Sequence, residues 1–273
     1  MRGMPTRQGL NRRDGKCGNI MKEFQDYANY YDAFYKDKDY EKEAKDAEQI
    51  IKNLGDGKVL SVLDMGCGTG RHDEVFARGG CQVTGIDISS RMIAEAKKNN
   101  GQKGFSIEYE VADVRNYRSE KHYDGVVSLF HVMSYQNTNE DIIRAFQTAS
   151  KALRKGGIFV FDFWYGPGVL SDKPSVRVRE AEDAGCRLCR IAEPVMHVEE
   201  NVVDVNYKIF VMDKKTGITK TVEEVHKMRY FFIPELKFYL HNAGLDFLEC
   251  LDCNTLQKTD FDSWTAVCAA RKV

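Results

Sequence analysis

The stretch Val59–Gly70, VLSVLDMGCGTG, decides the fold. Val59, Leu60, Val62 and Leu63 form a nearly continuous apolar run, which reads as a strand buried on both faces of a parallel sheet. The run ends at Asp64, and Gly66, Cys67, Gly68, Thr69 and Gly70 lead into a helix opening at Arg71–Arg78 (RHDEVFAR). A glycine-rich turn between a buried strand and a helix lets a ligand approach bare backbone, near the positive end of the helix dipole. The spacing is G-x-G-x-G and departs from the G-x-G-x-x-G of dinucleotide binders. An acidic residue stands two positions before the first glycine.

The segments that follow keep a strand–helix rhythm. Gln82–Ile86 (QVTGI) ends in Asp87, 23 residues after Asp64, and leads through Ile88 and Ser89 to a helix from Arg91 that carries Met92. An acidic residue at the end of the second strand is where a Rossmann-like fold grips ribose hydroxyls, because a carboxylate accepts two hydrogen bonds at once. A third strand, Ser106–Val111, runs into Ala112-Asp113-Val114. The fourth, Tyr123–Phe130 (YDGVVSLF), precedes a helix at about Glu140–Leu153, and Lys155-Gly156-Gly157 turns into the fifth, Ile158–Phe163.

In this company D-x-G-C-G-T-G closely resembles the first motif of the class I S-adenosylmethionine-dependent methyltransferases. The resemblance extends to Asp87, to the D-V of Asp113-Val114 and to the L-x-K-G-G before the fifth strand. It implies an α/β fold, the Rossmann-like class I methyltransferase sandwich. Its sheet has seven strands, mostly parallel, with an antiparallel last strand, and S-adenosylmethionine is the cofactor. The cofactor site implied comprises Asp64, Gly66, Cys67, Gly68, Thr69, Gly70, Asp87, Ile88, Met92, Ala112, Asp113, Val114 and Phe130, with Asp113 at the adenine amino group.

Lys22–Leu54 reads as mostly helical, and Tyr30–Ala44 (YYDAFYKDKDYEKEA) is rich in tyrosine. This stretch resembles the N-terminal cap of methyltransferases that act on sugar nucleotides. By that resemblance Tyr35 lies near the sulfonium and the substrate, and Tyr40 near the methionine carboxylate. A cap also makes chemical sense, since methyl transfer benefits from excluded water and an aligned acceptor. After the fourth strand comes Phe130–Gln136 (FHVMSYQ), at the carboxyl end of the sheet where open α/β folds place their chemistry. In the sugar-nucleotide group the residue matching Tyr135 faces the acceptor amine, and the histidine matching His226 points into the substrate region. His131 is a second candidate for a catalytic role.

Residues 175–232 break the rhythm. Ser175–Arg179, Cys186–Ala192, Val195–Glu199, Val202–Met212 and Thr219–Phe232 carry alternating or β-branched patterns between turn signals, and read as an antiparallel meander inserted after the fifth strand. Val203, Val205, Tyr207, Ile209 and Val211 share a parity, so one face is apolar and covers the pocket or a second subunit. Arg177, Arg179 and Arg229 are candidates for holding a phosphate bidentately, or for a plain surface role. Pro234–Asn242 then reads as a short helix, and Phe247–Leu251 with Trp264–Ala270 as an antiparallel pair. The organisation expected is a disordered tail (1–20) ahead of a natural start near Met21, then cap helices and core (21–165), the inserted β subdomain (166–232) and the end of the core (233–273).

Composition bounds the partners. With 40 basic and 41 acidic residues the net charge is −1, so no global field draws the chain to nucleic acid or to a membrane surface. No apolar run approaches the roughly 20 residues that span a bilayer. No Asn/Asp-Pro-Pro-aromatic run follows the fourth strand, which argues against a nucleobase acceptor. The eight cysteines are scattered, as suits reduced thiols in the cytoplasm. The pairs Cys186/Cys189 and Cys250/Cys253 are too far apart for the common four-cysteine zinc spacing, and no metal is expected. The reading is methyl transfer from S-adenosylmethionine to a small-molecule substrate, foremost the amino group of a nucleotide-linked amino sugar, by a chain that can form a homodimer. The alternatives are an O-methyltransferase using His131 or His226 as base, a cofactor-binding protein of the same fold without chemistry, and an NAD-dependent dehydrogenase, disfavoured by the glycine spacing.

Overall fold

The computed structural model describes residues 28–273 except 102 and 106. The tail expected over 1–20, the start near Met21 and the first residues of the cap lie outside them. The elements run α1 (Ala28–Phe34), α2 (Tyr40–Leu54), β1 (Ser61–Met65), α3 (Arg71–Arg78), β2 (Gln82–Asp87), α4 (Ser90–Gly101), β3 (Ile107–Val111) and β4 (Tyr123–Ser128). A 3-10 turn (Val132–Tyr135), α5 (Asn139–Ala152), β5 (Leu153–Tyr165) and α6 (Gly166–Ser171) follow. The chain ends with β6 (Arg177–Glu182), β7 (Cys186–His197), β8 (Val202–Asp213), β9 (Thr219–Phe231), α7 (Ile233–Asn242), β10 (Leu245–Asp252) and β11 (Thr265–Lys272).

The core sheet has the order β3-β2-β1-β4-β5-β11-β10, seven strands with β11 antiparallel to both neighbours, as the methyltransferase resemblance implied. Two helix layers cover it. α2 and α3 bury Ile50, Ile51 and Phe76 against Val62, Val83, Val127 and Val160. α5 and α7 bury Phe146, Leu236 and Leu240 against Leu63, Val126, Phe159, Phe161 and Phe163. The division follows from the period of two along β5, whose even-numbered Val160 faces one layer and odd-numbered phenylalanines the other. Caps set the helix ends: Asp39 accepts from the Lys42 amide at 2.9 Å and Thr138 from the Asp141 amide at 3.1 Å.

The cap helices number two, the chain turning through residues 35–39 before Asp39 caps α2. Three expectations are corrected. Leu60 is 64% exposed, since β1 starts only at Ser61, where Asp124 takes the Leu60 and Ser61 amides. The glycine turn at Lys155–Gly157 is an irregularity inside a longer β5, where the pairing with β4 skips from Tyr123↔Leu153 to Gly125↔Ile158. The two short strands expected between Cys186 and Glu199 are one strand, β7, which pairs with β8 through Pro194 without a break.

The meander β6–β9 does not stand apart from the core. The tip of β5 pairs in parallel with β9 (Trp164↔Tyr230, Tyr165↔Phe231), so the antiparallel strands continue the sheet. Its apolar face, with Val203, Val205, Ile209 and Val211 buried, is covered by Tyr30 and Phe34 of α1 and by Val169 of α6. Arg229 takes no part in the cavity described below. It is buried, donating to Asn139 at 2.9 Å, to Glu235 at 2.9 Å and to the Tyr239 hydroxyl at 3.2 Å, and so ties β9 to α5 and α7. Glu235 also closes the capping box of α7 through the Phe232 amide. Glu235→Ala leaves a buried guanidinium with neutral partners only, and a loss of about 3 kcal/mol is expected, to be read as a lowered urea midpoint at unchanged slope.

Candidate active site

The carboxyl ends of β1, β2, β4 and β5 and the inner face of β7–β9 enclose one cavity of about 760 Å³. On the core side it is lined by Gly66, Gly68, Asp87, Ile88, Met92, Asp113, Val114 and Phe130, and Tyr35 joins them from the cap. Asp87 is the latch of this half. Its carboxylate accepts from the Gly68 amide at 3.0 Å and from the Ser89 amide at 2.8 Å, so one side chain fixes both loops. Burial raises its pKa against the opposing pull of those amides. Gly68 has φ +53°, and a Cβ built there would meet nothing within 4 Å, so the loop shows bare backbone to open space. Gly66, at φ +94°, is required for another reason, because a Cβ there would collide with Val132.

The other residues of the implied cofactor set, Tyr40, Asp64, Cys67, Thr69, Gly70 and Ala112, lie off the cavity wall. Thr69 donates to Asp32 at 2.8 Å, and Asp32 also holds Arg71 at 2.7 Å, which binds the cap to the loop. Gly70 packs on Tyr109 and Asn100, and the Ala112 amide bonds to the Asp87 carbonyl at 3.0 Å. The Cys67 thiol is buried, which pushes its pKa up and leaves it inert. Tyr40 stacks edge-on against His72 (5.0 Å), and its buried hydroxyl has no hydrogen-bond partner although Arg71 and Asp32 stand near. An orphaned hydroxyl beside a cation at the loop suits the carboxylate of an amino-acid moiety, and the glycine backbone, Asp87 and the apolar Ile88 and Met92 suit an adenosine. The residues present fit S-adenosylmethionine.

Asp113 accepts three side-chain hydrogen bonds from Arg115, at 2.6, 2.9 and 3.0 Å, while still lining the cavity. Burial would raise its pKa, but the hydrogen bonds from Arg115 outweigh it and the carboxyl stays below the ordinary value. Beneath the loop Asp64 meets Asp73 of α3, both fully buried beside Tyr109. Burial, with the charge of the partner for Asp64, holds the pair above the ordinary carboxylate range.

The acceptor half is made of side chains. Phe130 and His131 both take left-handed backbone (φ 67° and 66°), strain that is held by packing. Tyr35 meets the Phe130 ring edge-on at 5.0 Å, and the Lys38 ammonium sits 4.1 Å from that ring's centre. The His131 amide donates to Asp162 at 2.7 Å, with the ring Nδ1 3.1 Å from the other carboxylate oxygen. The tight bend delivers Tyr135, whose hydroxyl lies 2.8 Å from His226 Nδ1. His226 is buried, its Nε2 lies 3.1 Å from Glu224 Oε2, and its ring meets Tyr207 edge-to-face at 4.7 Å. Arg190 is packed between Phe34, Tyr35 and Tyr207 and donates to the Tyr35 hydroxyl at 3.0 Å. Arg177 lines the cavity, and Arg179 pairs directly across from Arg190.

The sequence-chosen Tyr135, His226 and His131 are thus brought to one wall of the cavity with Tyr35. Glu224 and Arg190 were missed. Glu224 stands two residues before His226 on one strand, hence on the same face, and Arg190 shares the inward parity of Arg179, so period-two reading of the meander carries both signals.

Comparison with known proteins agrees with this geometry. Residues 62–157 match a family profile described as a methyltransferase domain. The chain is 28% identical, over 81% of its length and 90% of the relative's, to a dTDP-3-amino-3,4,6-trideoxy-alpha-D-glucopyranose N,N-dimethyltransferase of Streptomyces venezuelae. It is 27% identical, over 81% of its length and 85% of the relative's, to a dTDP-4-amino-2,3,4,6-tetradeoxy-D-glucose N,N-dimethyltransferase of Saccharopolyspora spinosa. The fold matches a solved S-adenosylmethionine-dependent methyltransferase of Clostridium acetobutylicum with a TM-score of 0.77 at 21% identity, covering 91% of this chain and 98% of that one. The chain carries a methyltransferase domain over residues 62–157 and is an S-adenosylmethionine-dependent methyltransferase with the class I fold.

The buried pair beneath the loop sets a pH dependence. Asp73 is pushed up to about 7 by burial. A carboxyl whose folded value exceeds its unfolded one lends stability that is full in acid and falls as pH rises, here from about pH 4 through about pH 7. Asp73→Asn should therefore gain stability relative to wild type between pH 5 and pH 8, measured by urea unfolding at both.

Proposed function

We propose that the chain transfers methyl groups from S-adenosylmethionine to the amino group of a nucleotide-linked amino sugar. The observation that carries this reading is the two-sided cavity. Backbone and carboxylates on the core side are suited to a nucleoside and a sulfonium, and on the meander side a tyrosine–histidine pair shares the cavity with Arg177 and Arg190, with Arg179 paired across from Arg190. Arg177, Arg179 and Arg190 are suited to a diphosphate, which guanidinium groups bind through paired donors. The names of the relatives, which act on dTDP-linked amino sugars, support the same class of acceptor.

Bound S-adenosylmethionine supplies a methyl group made electrophilic by its sulfonium. The protein's part is to hold and orient. Asp87 holds the ribose, and the orphaned Tyr40 hydroxyl with Arg71 takes the amino-acid end. Tyr35, Phe130 and the strained bend close the cavity above the reacting centre and exclude water. Tyr135 positions the acceptor nitrogen, and His226 orients Tyr135 from behind.

Among the described residues no helix is long and apolar enough to cross a membrane. The cysteines described are all free, in keeping with a cytoplasmic site of action. A soluble small-molecule enzyme, homodimeric and without a nucleic-acid partner, is the form this reading takes.

Calorimetry with S-adenosylmethionine, S-adenosylhomocysteine and NAD tests the cofactor half. The two adenosyl ligands should bind and NAD should not, and Asp87→Ala should weaken binding at least about tenfold, as for loss of a charged hydrogen bond. Arg190→Ala should raise KM for a dTDP-linked amino sugar about tenfold or more at unchanged cofactor affinity. Equal turnover of the free amino sugar would overturn the nucleotide assignment.

A further inference from the structure

The chain Glu224–His226–Tyr135 has a direction. We infer that Glu224, through His226, makes Tyr135 the proton acceptor for the substrate's amine, so that a polarised relay feeds the transfer site. The inference rests on the amine reading above.

A carboxylate beside a neutral imidazole sets the polarity. A carboxylate can only accept, so Glu224 Oε2 at 3.1 Å takes a proton from His226 Nε2. In neutral imidazole Nδ1 then carries no proton and accepts from the Tyr135 hydroxyl at 2.8 Å. Tyr135 has spent its one proton inward, and what it offers the cavity is lone pairs. An ammonium can donate to these lone pairs.

The step balances. One N–H proton of the bound ammonium passes to Tyr135 Oη as the hydroxyl proton of Tyr135 passes to His226 Nδ1. The N–H electron pair stays on nitrogen, tyrosine is neutral again, and the imidazolium formed is paired with the Glu224 carboxylate. The freed lone pair makes the new N–C bond while the C–S bond breaks and its electrons go to sulfur. When the product has left, the proton returns to water by the reverse path.

The surroundings suit this route. Facing His226 are Tyr135 from the 3-10 turn, Glu224 from its own strand and Tyr207 from β8, and beyond Tyr207 stand Arg190 and Tyr35. Tyr207 is pushed up to about 12, chiefly by burial, and stays a neutral wall across the working range. Glu224 and His226 are both shielded from solvent, so a charge formed on the ring is met by the carboxylate and not by water.

Two measurements test the relay. In protein labelled with 15N-histidine, free of substrate, a long-range 15N–1H correlation should show His226 protonated at Nε2 only, its signals identified by their loss in His226→Gln. A ring protonated at Nδ1 overturns the proposal whatever the acceptor proves to be. With a dTDP-linked amino sugar, Glu224→Gln and Tyr135→Phe should each lower kcat about a hundredfold at pH 7 and approach wild type as pH rises and the amine arrives as free base. Cofactor affinity should stay unchanged. Mutant profiles that run parallel to wild type at all pH values overturn the relay. Wild-type inactivity on amino-sugar nucleotides, with the Nε2 tautomer observed, counts against the substrate reading and leaves the relay's polarity supported.

Discussion

Two residue pairs at the tip of β5 carry the architecture of the site. The strand is packed along most of its length by the Phe159, Phe161 and Phe163 ladder, and then continues past the end of β4. There Trp164 and Tyr165 pair with Tyr230 and Phe231. Because backbone pairing fixes register, a one-residue slip would turn every inward side chain of β9 outward. His226, Glu224 and Met228 would leave the cavity, and β8 and β7 would follow through their own ladders. The buried Arg229, gripped by α5 and α7, stands one residue before the pairing and pins the same register from the other side. An arginine that looked like a phosphate ligand is therefore a register pin. It allows the acceptor half to be built far in sequence from the cofactor half and still meet it.

The electrostatics of the core half follow from the cofactor being a cation. Asp87 and Asp113 line the cavity, while Asp64, Asp73 and Asp162 lie buried close to it. So many carboxyl groups in low dielectric repel one another, and the Asp64–Asp73 pair relieves this by holding a proton. The Asp87 carboxylate on the core wall favours a sulfonium over the neutral thioether left after transfer, so the product cofactor loses part of its grip when the charge leaves.

The two halves were unequally legible in the sequence, for a physical reason. A cofactor held by backbone needs glycines and a few carboxylates at fixed distances from strand ends, and that requirement survives as a short pattern from Asp64 to Asp113. The seven-stranded order came with the family resemblance that this pattern carries, since the stretch itself holds only the first three strands. Leu60 was misplaced because an apolar run alone does not mark where pairing begins. Glu224 and Arg190 went unnoticed because their meaning is relational. A glutamate on a strand is ordinary until His226 is known to lie on the same face with Tyr135 behind it, and the arginine until Phe34 and Tyr207 close around it.

Such a division has a consequence for how the protein can vary. The core half is constrained by the backbone of the glycine loop and of β2 beside it, where a Cβ at Gly66 or at Gly85 would strike Val132 or Asp73. The acceptor half is constrained in its register and in the buried hydrogen-bonded chain from Tyr135 to Glu224. The remaining inward positions on β6, β7 and β8 alternate between core and cavity, and a change at Ala192, Pro194 or Val205 alters the shape of the cavity without touching a ladder bond. Selectivity for one acceptor over another is therefore expected to reside on the meander, while the transfer chemistry stays with the bend at Phe130–Tyr135.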